Sequence, residues 1–483
     1  MTTAPAATKT LPNPRPKIAI IGGGISGLAA AFRLSEIFPA AQTEVLESTE
    51  RVGGILETFS KQGYLIERSA DMFTTREPWG LNLCKRLGIE DELVETNAKY
   101  RQAFVVRKGK LVPVPEGFTL MSPAKIWPIA TTPLLSVWGK ARLAGEMLVR
   151  KKKTAEDESL ESFVVRRFGR EAFDRLVQPL IGGIYTADPA KLSMQATMPQ
   201  FIQLEEQFGS LIYGMRTQQS QKKKNTGSGA RYGMFLAPKS GMGRIAEAIV
   251  NKLPAGTIRT NTAVTHLAED TMHGGWLVTC EGENKPAHYD AVVMAVPGPV
   301  MTRLLSPALP KLGSLFEKCE HAGCSVAVMG VRKDQLKHPL NGFGFVVPAI
   351  ERRKILAGSF SSIKFDGRAP HDSVLIRVFV GGALQPHLGK LPDEEIRKIV
   401  LEELRALLGM TGEPQFFDVV RWMNAMPQYH VGHIERVAAI EKLAAELPSM
   451  GLAGNTLHGV GVPFCVHAGE QAADKVAKHL QGN

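Results

Sequence analysis

The 483-residue chain contains few cysteines, and their spacing excludes two common uses of this residue. None of the five takes part in a C-x-x-C pair, and none has the spacing of a zinc site. The histidines are scattered, so we expect no metal site. Unpaired thiols are typical of a reducing compartment, which predicts a cytoplasmic protein. The five are Cys84, Cys280, Cys319, Cys324 and Cys465.

The sequence also lacks a run of about 20 apolar residues, the length that a membrane-spanning helix requires. Residues 1–16 are rich in Thr, Ala and Pro but have no apolar core of a secretory signal, and we expect them to be disordered. No internal repeat and no nucleic-acid-binding motif accompanies the net charge of +11. We therefore expect no nucleic-acid partner, and the charge favours an anionic surface or an acidic substrate.

A glycine-rich turn between an apolar strand and an alanine-rich helix is the strongest feature that the sequence does contain. Ile18–Ile21 predicts a buried strand, and Ser26–Ser35 predicts the helix. Between them, G-x-G-x-x-G spacing is typical of a dinucleotide-binding turn. Gly22 permits the tight turn, Gly24 lets the backbone approach a pyrophosphate, and Gly27 allows helix and strand to pack closely. The start of the helix would offer free N–H groups to the phosphates.

An acidic residue and a second glycine motif follow this turn. A predicted strand, Thr43–Leu46, ends at Glu47, twenty residues after Gly27, where a carboxylate can bind a ribose diol. The run Arg51–Gly54 comes next. With Glu47 it resembles the second motif of FAD enzymes in the amine-oxidase superfamily, which implies FAD and not NAD. An ordinary strand–helix turn and a charged loop are the alternatives at these positions.

The hydrophobic patterns predict an α/β fold with three parts. A Rossmann-like, discontinuous FAD-binding domain accompanies an antiparallel-sheet substrate domain and a helical insertion. The predicted boundaries are 17–98, 232–300 and 414–483 for the FAD-binding domain, 99–115 and 301–413 for the substrate domain, and 116–231 for the insertion.

The insertion carries two features that suggest contact with a membrane or a substrate. Trp127 and Trp138 lie near the basic cluster Arg150–Lys153, which fits either a membrane surface or the mouth of a hydrophobic substrate pocket. Helical cover on a core with a solvated basic end is the alternative. Further along, we expect Ile181–Pro189 to end a helix, and Thr217–Arg231 to form a mobile loop.

Seven segments spread over nearly the whole chain resemble one family, the oxygen-dependent porphyrinogen oxidases of haem biosynthesis. Glycine motifs alone are shared by many flavoproteins, whereas QPLIGGIYTADP and MPQYHVGH are much more specific. One departure is Ser69-Ala70, where family members often have Gly-Pro. The segments are GGGISGLAAAF, ERVGG, IERSADMF, QPLIGGIYTADP, FLAPKSGMGRI, RWMNAMPQYHVGH and GLAGNTLHGVGVPFCVHAGEQAA.

The resemblance implies that a porphyrinogen is oxidised to a porphyrin with non-covalent FAD. Six electrons would leave the substrate, and three dioxygen molecules would become hydrogen peroxide. Coproporphyrinogen III, protoporphyrinogen IX or both are the implied substrates. Flavin N5 would accept the hydride, because the cofactor carries the redox chemistry, and no side chain is assigned as a catalytic base. A downstream chelatase and a membrane surface are further candidate partners.

Two other functions remain open from the sequence. One is another amine-oxidase-like flavoenzyme, such as an amine oxidase or a carotenoid desaturase. Flavin that stays on the protein after acid precipitation would indicate covalent attachment, and Cys465 is the residue to check. The other is a non-catalytic FAD-binding partner, which would hold FAD but never reduce it with a porphyrinogen.

The resemblance also assigns residues. Reduction places negative charge on the flavin N1/C2=O edge, where glycine-rich backbone before the last helix can supply N–H donors. Arginine forks match carboxylates, so Arg76 is a candidate for a substrate propionate. In the family, the strands that carry Gly344, Val346 and Phe379 line the macrocycle. The alternative is that these residues only form part of the sheet core. The candidate substrate residues are Arg76, Gly344, Val346 and Phe379. The candidate FAD-binding residues are Gly22, Gly23, Gly24, Ile25, Ser26, Gly27, Glu47, Ser48, Arg51, Gly53, Gly54, Ser69, Ala70, Asp71, Met72, Val264, Trp422, Asn455, Val460, Gly461 and Val462.

Overall fold

The computed structural model describes residues 15–119, 121–123, 127–152, 154, 156–225 and 234–482. Most of the segment predicted to be disordered, 1–16, therefore lies outside the described residues. The described strands are β1 (Lys17–Ile21), β2 (Gln42–Leu46), β3 (Thr58–Lys61), β4 (Tyr64–Glu67), β5 (Phe73–Thr74), β6 (Leu93–Glu95), β7 (Ala103–Arg107), β8 (Lys110–Pro113), β9 (Phe118–Thr119), β10 (Ser122–Pro123), β11 (Phe235–Pro238), β12 (Ile258–Arg259), β13 (Val264–Glu269), β14 (Trp276–Cys280), β15 (Ala287–Tyr289), β16 (Ala291–Met294), β17 (His321–Arg332), β18 (Gly344–Val346), β19 (Ala357–Phe360), β20 (Ser373–Gly381), β21 (Phe416–Pro427) and β22 (Met450–Leu452).

Helices connect and cover these strands. The described α-helices are α1 (Ile25–Ile37), α2 (Trp79–Leu87), α3 (Trp127–Thr131), α4 (Val137–Ala144), α5 (Leu160–Phe168), α6 (Arg170–Ala172), α7 (Gln178–Tyr185), α8 (Met194–Thr197), α9 (Pro199–Phe208), α10 (Leu211–Asn225), α11 (Gly243–Val250), α12 (Gly298–Ala308), α13 (Pro310–Glu317), α14 (Ser361–Lys364), α15 (Asp393–Leu408), α16 (His433–Ala445) and α17 (Val462–Leu480).

A five-stranded parallel sheet in the order β12-β2-β1-β16-β22 positions the glycine turn. Side chains of β1 alternate between its two faces. Ile18 and Ile20 share a buried cluster with α1 and α17, whereas Ala19 and Ile21 face the small β13-β14-β15 sheet. Because β1 is the central strand and parallel strands end at one edge, the turn after Ile21 lies in the middle of that edge.

The larger sheet has seven strands, in the order β21-β17-β20-β19-β18-β7-β8, and is antiparallel except between β18 and β7. One face packs on α15, where Ile396, Val400 and Leu404 join a buried cluster with the strands. From sequence we assign 414–483 to the nucleotide domain, whereas β21 pairs with β17 in this sheet. A local strand pattern does not specify which sheet a strand joins.

A helix ends within Ile181–Pro189, as expected, although α7 continues as far as Tyr185; the residue that follows, Thr186, has φ 48°. The helical region is also interrupted at Gly169, between α5 and α6, where φ is 90°. The expected loop from Thr217 is helical as far as Asn225, since residues 217–225 contain no Gly or Pro. The rest of that expected loop lies outside the described residues.

The helical region is built around a buried ion pair. The side chains of Glu146 and Arg167 are completely buried and bond directly. Glu146 also accepts from Ser210 Oγ at 2.6 Å and from Leu211 N at 2.9 Å, which satisfies an N–H group at the start of α10. One carboxylate therefore ties an arginine of α5 to the first turn of α10.

Candidate functional site

The glycine turn and the Arg51–Gly54 run lie against each other at the end of β1. Gly53 N donates to Gly23 O at 2.8 Å, and Gly24 forms a parallel bridge with Gly53. A Cβ at Gly54 would lie 3.1 Å from Gly24 Cα. The two segments approach this closely because glycines face each other at the contact, and a Cβ at Gly23 would lie 2.8 Å from the Val52 side chain.

The glycines of the turn differ in what they require. A Cβ at Gly27 would lie 1.9 Å from Gly22 O, so packing within the turn excludes any other residue there. Gly24 has an ordinary extended backbone, and no described heavy atom lies within 4 Å of its Cβ position. Packing of the protein thus gives no reason for glycine at position 24. Because α1 starts there without a side-chain cap, bare backbone and helix N–H groups face the same space.

Glu47 is oriented by the glycine turn and by its own loop. Its Oε2 accepts from Gly23 N at 2.7 Å, and its Oε1 accepts from the N and Oγ1 of Thr49, both at 2.9 Å. Each carboxylate oxygen has two lone pairs, so Oε2 can accept one further hydrogen bond. Thr262 N donates to Glu47 O at 2.8 Å, which brings the segment before Val264 beside the acid. Val264 is itself buried.

Two neighbouring candidates are arranged differently. Ser48 is exposed, and its hydroxyl donates to Glu47 Oε1 at 3.3 Å. Arg51 bonds to Gly54 O at 2.7 Å and to Glu57 at 2.9 Å, within its own loop. Its contribution in this conformation is therefore to shape the second glycine run.

Side chains of the larger sheet hold the loop of Ser69–Met72. Arg377 Nη1 donates to the carbonyls of Glu67 and Ser69, and Trp422 Nε1 donates to Arg68 O at 2.8 Å. In a planar trans peptide, N–H and C=O point in opposite directions. The N–H groups of Ser69 and Ala70 therefore point away from these donors. Trp422 positions the loop through its backbone.

A tyrosine and a histidine hold the segment that precedes α17. Tyr429 Oη donates to Asn455 O at 2.5 Å, and His433 Nε2 donates to Leu457 O at 2.9 Å. Their rings stack with centroids 4.0 Å apart. Burial lowers the pKa of His433 to about 4, so the imidazole is neutral at pH 7. No motif marked this histidine as special; its spacing from Tyr429 in the specific MPQYHVGH segment was the available signal.

The starts of α1 and α17 belong to one packed helix pair. Like α1, α17 begins without a side-chain cap, at Gly461. A Cβ at Gly469 would lie 2.1 Å from Ser26 O, so the two helices meet backbone to backbone. Arg33 Nε binds Asp474 at 2.8 Å further along. Val460 and Gly461 are half-buried and Val462 is buried at the start of α17.

The candidate substrate residues are only partly brought together. Arg76 is exposed, and its positive charge opposes the rise in pKa that burial causes at Tyr185, which places it towards α7. A Cβ at Gly183 of α7 would lie 3.4 Å from Val346. The carbonyl of Tyr185 accepts from Gln428 Nε2 at 3.3 Å. The most specific segments of the sequence are thus in mutual contact here.

Gly344 and Phe379 lie near Val346 on the larger sheet, because Gly344 is on the same strand and Ala357 of β19 is in register with both Val346 and Phe379. A Cβ at Gly344 would lie 2.2 Å from Gly358 O, so close pairing with β19 requires this glycine. Phe379 is half-buried on β20 and packs in the same cluster as Trp422 and Cys324. Its ring lies 5.7 Å from the Arg377 guanidinium.

Sequence reasoning missed the buried charges beneath the Ser69–Met72 loop. Asp71 pairs with Arg377 at 3.0 Å and with Lys364 at 3.1 Å, and these cations hold the pKa of Asp71 down at about 2. One signal was present: Arg377 is the only charge in the apolar run Val374–Val380. A charge buried in a strand requires a partner. Within the described ranges, no group of three or more His, Cys, Asp or Glu side chains could hold a metal ion.

The model of one protein family, flavin containing amine oxidoreductase, matches residues 25–477. The chain belongs to this family. As a flavin-containing amine oxidoreductase it is an enzyme of oxidation and reduction, and FAD is its cofactor. The match begins after β1 and the first glycines of the turn, and it spans the rest of the parallel sheet, the seven-stranded sheet and the helical region.

Relatives align with this flavoenzyme over nearly its full length. It is 34% identical to coproporphyrinogen III oxidase of Bacillus subtilis, covering 96% of this chain and 98% of the relative. It is 29% identical to protoporphyrinogen oxidase 2 of Arabidopsis thaliana, covering 96% and 94%. A crystal structure from Exiguobacterium sp. 255-15, provisionally assigned as a protoporphyrinogen oxidase, matches with a TM-score of 0.84 at 29% identity, covering 96% and 99%. Reduced UDP-galactopyranose mutase, at 16% identity and a TM-score of 0.72, shares the fold.

We predict that FAD leaves this flavoenzyme on acid precipitation. Cys465 lies in the first turn of α17, and burial raises the pKa of its thiol to about 11. A protonated thiol is a poor nucleophile, so attachment of flavin to Cys465 is disfavoured. The supernatant after precipitation should contain all the flavin absorbance, and Cys465→Ser should retain FAD as the wild type does. Flavin fluorescence remaining on the denatured wild-type polypeptide, and lost in the variant, would contradict this.

Proposed function

We propose that this chain oxidises a porphyrinogen to a porphyrin with FAD, in haem biosynthesis. The observation that carries the proposal is the near-complete match to coproporphyrinogen III oxidase, at 34% identity over 96% of this chain. Protoporphyrinogen oxidases match over similar lengths at lower identity. Coproporphyrinogen III is therefore the preferred candidate substrate, and protoporphyrinogen IX is the second. Dioxygen as electron acceptor and release of hydrogen peroxide are parts of the proposal.

The residues at the edge of the parallel sheet fit FAD. The Rossmann-like part would comprise 17–98 and 232–300 with the C-terminal segment, and β21 would belong with the substrate domain of 99–115 and 301–413. Gly22–Gly27 and the start of α1 would hold the pyrophosphate, because Gly24 leaves its backbone accessible there. Glu47 Oε2 has a free lone pair for a ribose hydroxyl.

The same edge suits the reactive end of the cofactor. When bound, FAD supplies the hydride acceptor. The uncapped start of α17 at Gly461 and Val462 would place N–H groups and a positive dipole end towards negative charge. The N–H groups of Ser69 and Ala70 would add donors, since the carbonyls of Arg68 and Ser69 are held on the opposite side. The chain would thus bind and orient by backbone, with no side chain required as a base.

Substrate recognition is proposed at the contact of α7 with β18. Val346 and Phe379 would contribute apolar surface to the macrocycle, and Gly344 would contribute backbone alone. Arg76 would bind a propionate, since its side chain is exposed and a guanidinium can form a fork–fork pair with a carboxylate. An apolar pocket with a cation at its rim suits a large macrocycle with carboxylate arms.

Aerobic incubation of the FAD-loaded enzyme with each porphyrinogen tests the function. Coproporphyrinogen III and, separately, protoporphyrinogen IX should give porphyrin fluorescence and peroxide together. A protein that binds FAD and yields neither product with either substrate would reject the proposal and favour a non-catalytic FAD-binding partner. Oxidation of an amine or a carotenoid instead would favour another amine-oxidase-like enzyme. A chelatase that receives the porphyrin is the partner proposed downstream.

We also propose that the helical region contacts an anionic membrane surface, from a cytoplasmic location. None of the helices within the described residues has the length and apolarity to cross a bilayer. Large apolar side chains are nevertheless exposed there beside the cations Arg142, Arg150 and Lys151. Apolar and basic groups together favour peripheral binding. The exposed side chains are Trp127 at 77%, Val137 at 78%, Trp138 at 85%, Met147 at 52% and Leu148 at 88%.

Vesicle binding checks this surface. Trp138→Ser and Leu148→Ser should each weaken co-sedimentation with anionic vesicles about tenfold, which corresponds to losing part of one buried apolar side chain. Met272→Ser is the matched control, because Met272 is 86% exposed but lies on the β13–β14 turn. Equal binding by all three variants would contradict the membrane contact. Unchanged binding with a raised KM for porphyrinogen would identify a substrate mouth instead.

A further inference from the structure

Five buried charged side chains form a network directly behind the Ser69–Met72 loop. Each is at most 9% exposed, and they come from β4, the loop itself, α14, the segment after it and β20. Three are cations and two are carboxylates, so the network carries one excess positive charge. They are Glu67, Asp71, Lys364, Arg368 and Arg377.

The contacts of the network are direct. Asp71 binds both Lys364 and Arg377, and Arg368 Nη1 binds Glu67 at 2.9 Å. Arg377 Nη1 donates to two backbone carbonyls, and its buried Nε has no partner among the described atoms. The positive charge of Arg377 is therefore shared between one carboxylate and peptide dipoles, and is not cancelled by a carboxylate of its own.

Titration of the two carboxylates cannot remove the excess. Asp71 stays ionised at pH 7 because its pKa is held at about 2. Burial raises the pKa of Glu67, and a proton gained there would increase the net positive charge. The nearby pairs of Glu57 with Arg51 and Arg68 are about a third exposed on the arginine side, so water screens them.

The loop separates this network from the proposed flavin edge. Ala70 and Met72 pack in one apolar cluster with Ile25 at the start of α1, Val52 and Val462 at the start of α17. On its other side the loop is bonded to Arg377 and Trp422. The same loop thus packs in one cluster with both uncapped helix starts and is bonded to the network, and a charge acts strongly where water is excluded.

We propose that this buried excess of cations sets the reduction potential of the bound flavin by stabilising its anionic reduced form. The proposal rests on the proposed function only in taking FAD as the cofactor that this edge holds. When oxidised flavin takes up two electrons and only one proton, the reduced form carries one negative charge. A fixed positive charge nearby favours that form over the neutral oxidised form. The potential then rises with the net charge of the network.

Opposite substitutions in one ion pair test the sign. Arg377→Met removes a cation and should lower the potential of the FAD-loaded protein, whereas Asp71→Asn removes a carboxylate and should raise it. We expect at least a tenfold change in the reduction equilibrium each way, which is about 30 mV for two electrons. Potentials are measured by dye-coupled anaerobic reduction without porphyrinogen, so an error in the proposed substrate leaves the result intact.

Controls separate charge from structure. Arg377→Lys keeps the charge and should retain the wild-type potential more closely than Arg377→Met. Lys364→Met provides a second cation, should Arg377→Met fail to fold, and Asp71→Asn with Lys364→Met restores the net charge and should return the potential towards wild type. Arg421→Gln, an exposed cation of β21 paired with Asp393, should change nothing. Shifts of the same sign in Asp71→Asn and the cation variants, or shifts no larger than that of Arg421→Gln, would overturn the proposal.

Discussion

Gly24→Val protein is expected to fold normally and to purify without flavin. The backbone at Gly24 has φ −70° and ψ 177°, which valine adopts readily, and no described atom lies within 4 Å of the Cβ position. The added side chain would instead fill the space between the α1 start and the proposed pyrophosphate. We expect loss of FAD by at least a hundredfold in affinity, because a branched side chain prevents backbone N–H groups from reaching phosphate. Absorbance at the flavin band and a thermal melt of the apoprotein measure the two halves of this result.

Gly27→Val is the matched comparison. Its Cβ would lie 1.9 Å from Gly22 O, so this variant should lose stability whether or not FAD is present. Both substitutions add the same atoms to the same turn, three residues apart. A yellow Gly24→Val protein with normal flavin absorbance would show that the phosphate turn is assigned wrongly, whatever Gly27→Val does.

Glu146→Ala is expected to destabilise the helical region by about 3–5 kcal/mol, the usual effect of removing one partner from a buried pair. Arg167 would keep its charge at 0% exposure with one fewer carboxylate, since Glu205 lies 3.2 Å away and already binds Arg166. Leu211 N would also lose its acceptor at the start of α10. Urea unfolding followed by far-UV circular dichroism should show the lower midpoint, because the affected region is mainly helical.

An exposed ion pair supplies the control. Arg101 and Glu95 are 44% and 41% exposed, so Arg101→Ala should shift the urea midpoint far less than Glu146→Ala does. Equal shifts in the two variants would mean that the Glu146–Arg167 pair contributes no more than a solvated one. FAD content should be the same in wild type and Glu146→Ala at low urea, since the pair lies in a different part of the chain from the glycine turn.

The strands, turn and helix at the proposed cofactor end could be predicted because their information is local. Strand, turn, helix and acid follow one another between Lys17 and Glu47, and each carries a spacing that physical chemistry explains. The start of α17 could be predicted for the same reason, because a glycine-rich segment directly precedes a long helical pattern. The local pattern placed the end of the helix before Gly182 and Gly183, whereas α7 includes both glycines and continues as far as Tyr185.

The supports behind the site could not be predicted from spacing. Arg377 meets Ser69, 308 positions away, and Trp422 meets Arg68, 354 positions away. Nothing in either segment specifies the other, because the contact arises only when two sheets pack. The assignment of β21 to a sheet has the same cause. The resemblance to a family indicated the reaction. The pairing of the buried charges could be seen only in the three-dimensional structure.

The helix pair that unites the two ends of the chain also has a consequence for biosynthesis. Arg33 and Asp474 are 441 positions apart, and β1 has its neighbour β16 only after residue 291. At a synthesis rate of about 5–20 residues per second, the first helix waits roughly 20–90 s for its partner. On the proposed assignment, flavin could complete its contacts with the nascent chain only after α17 has left the ribosome. A chain that stalls before α17 would then lack one side of the proposed site and would bind FAD weakly.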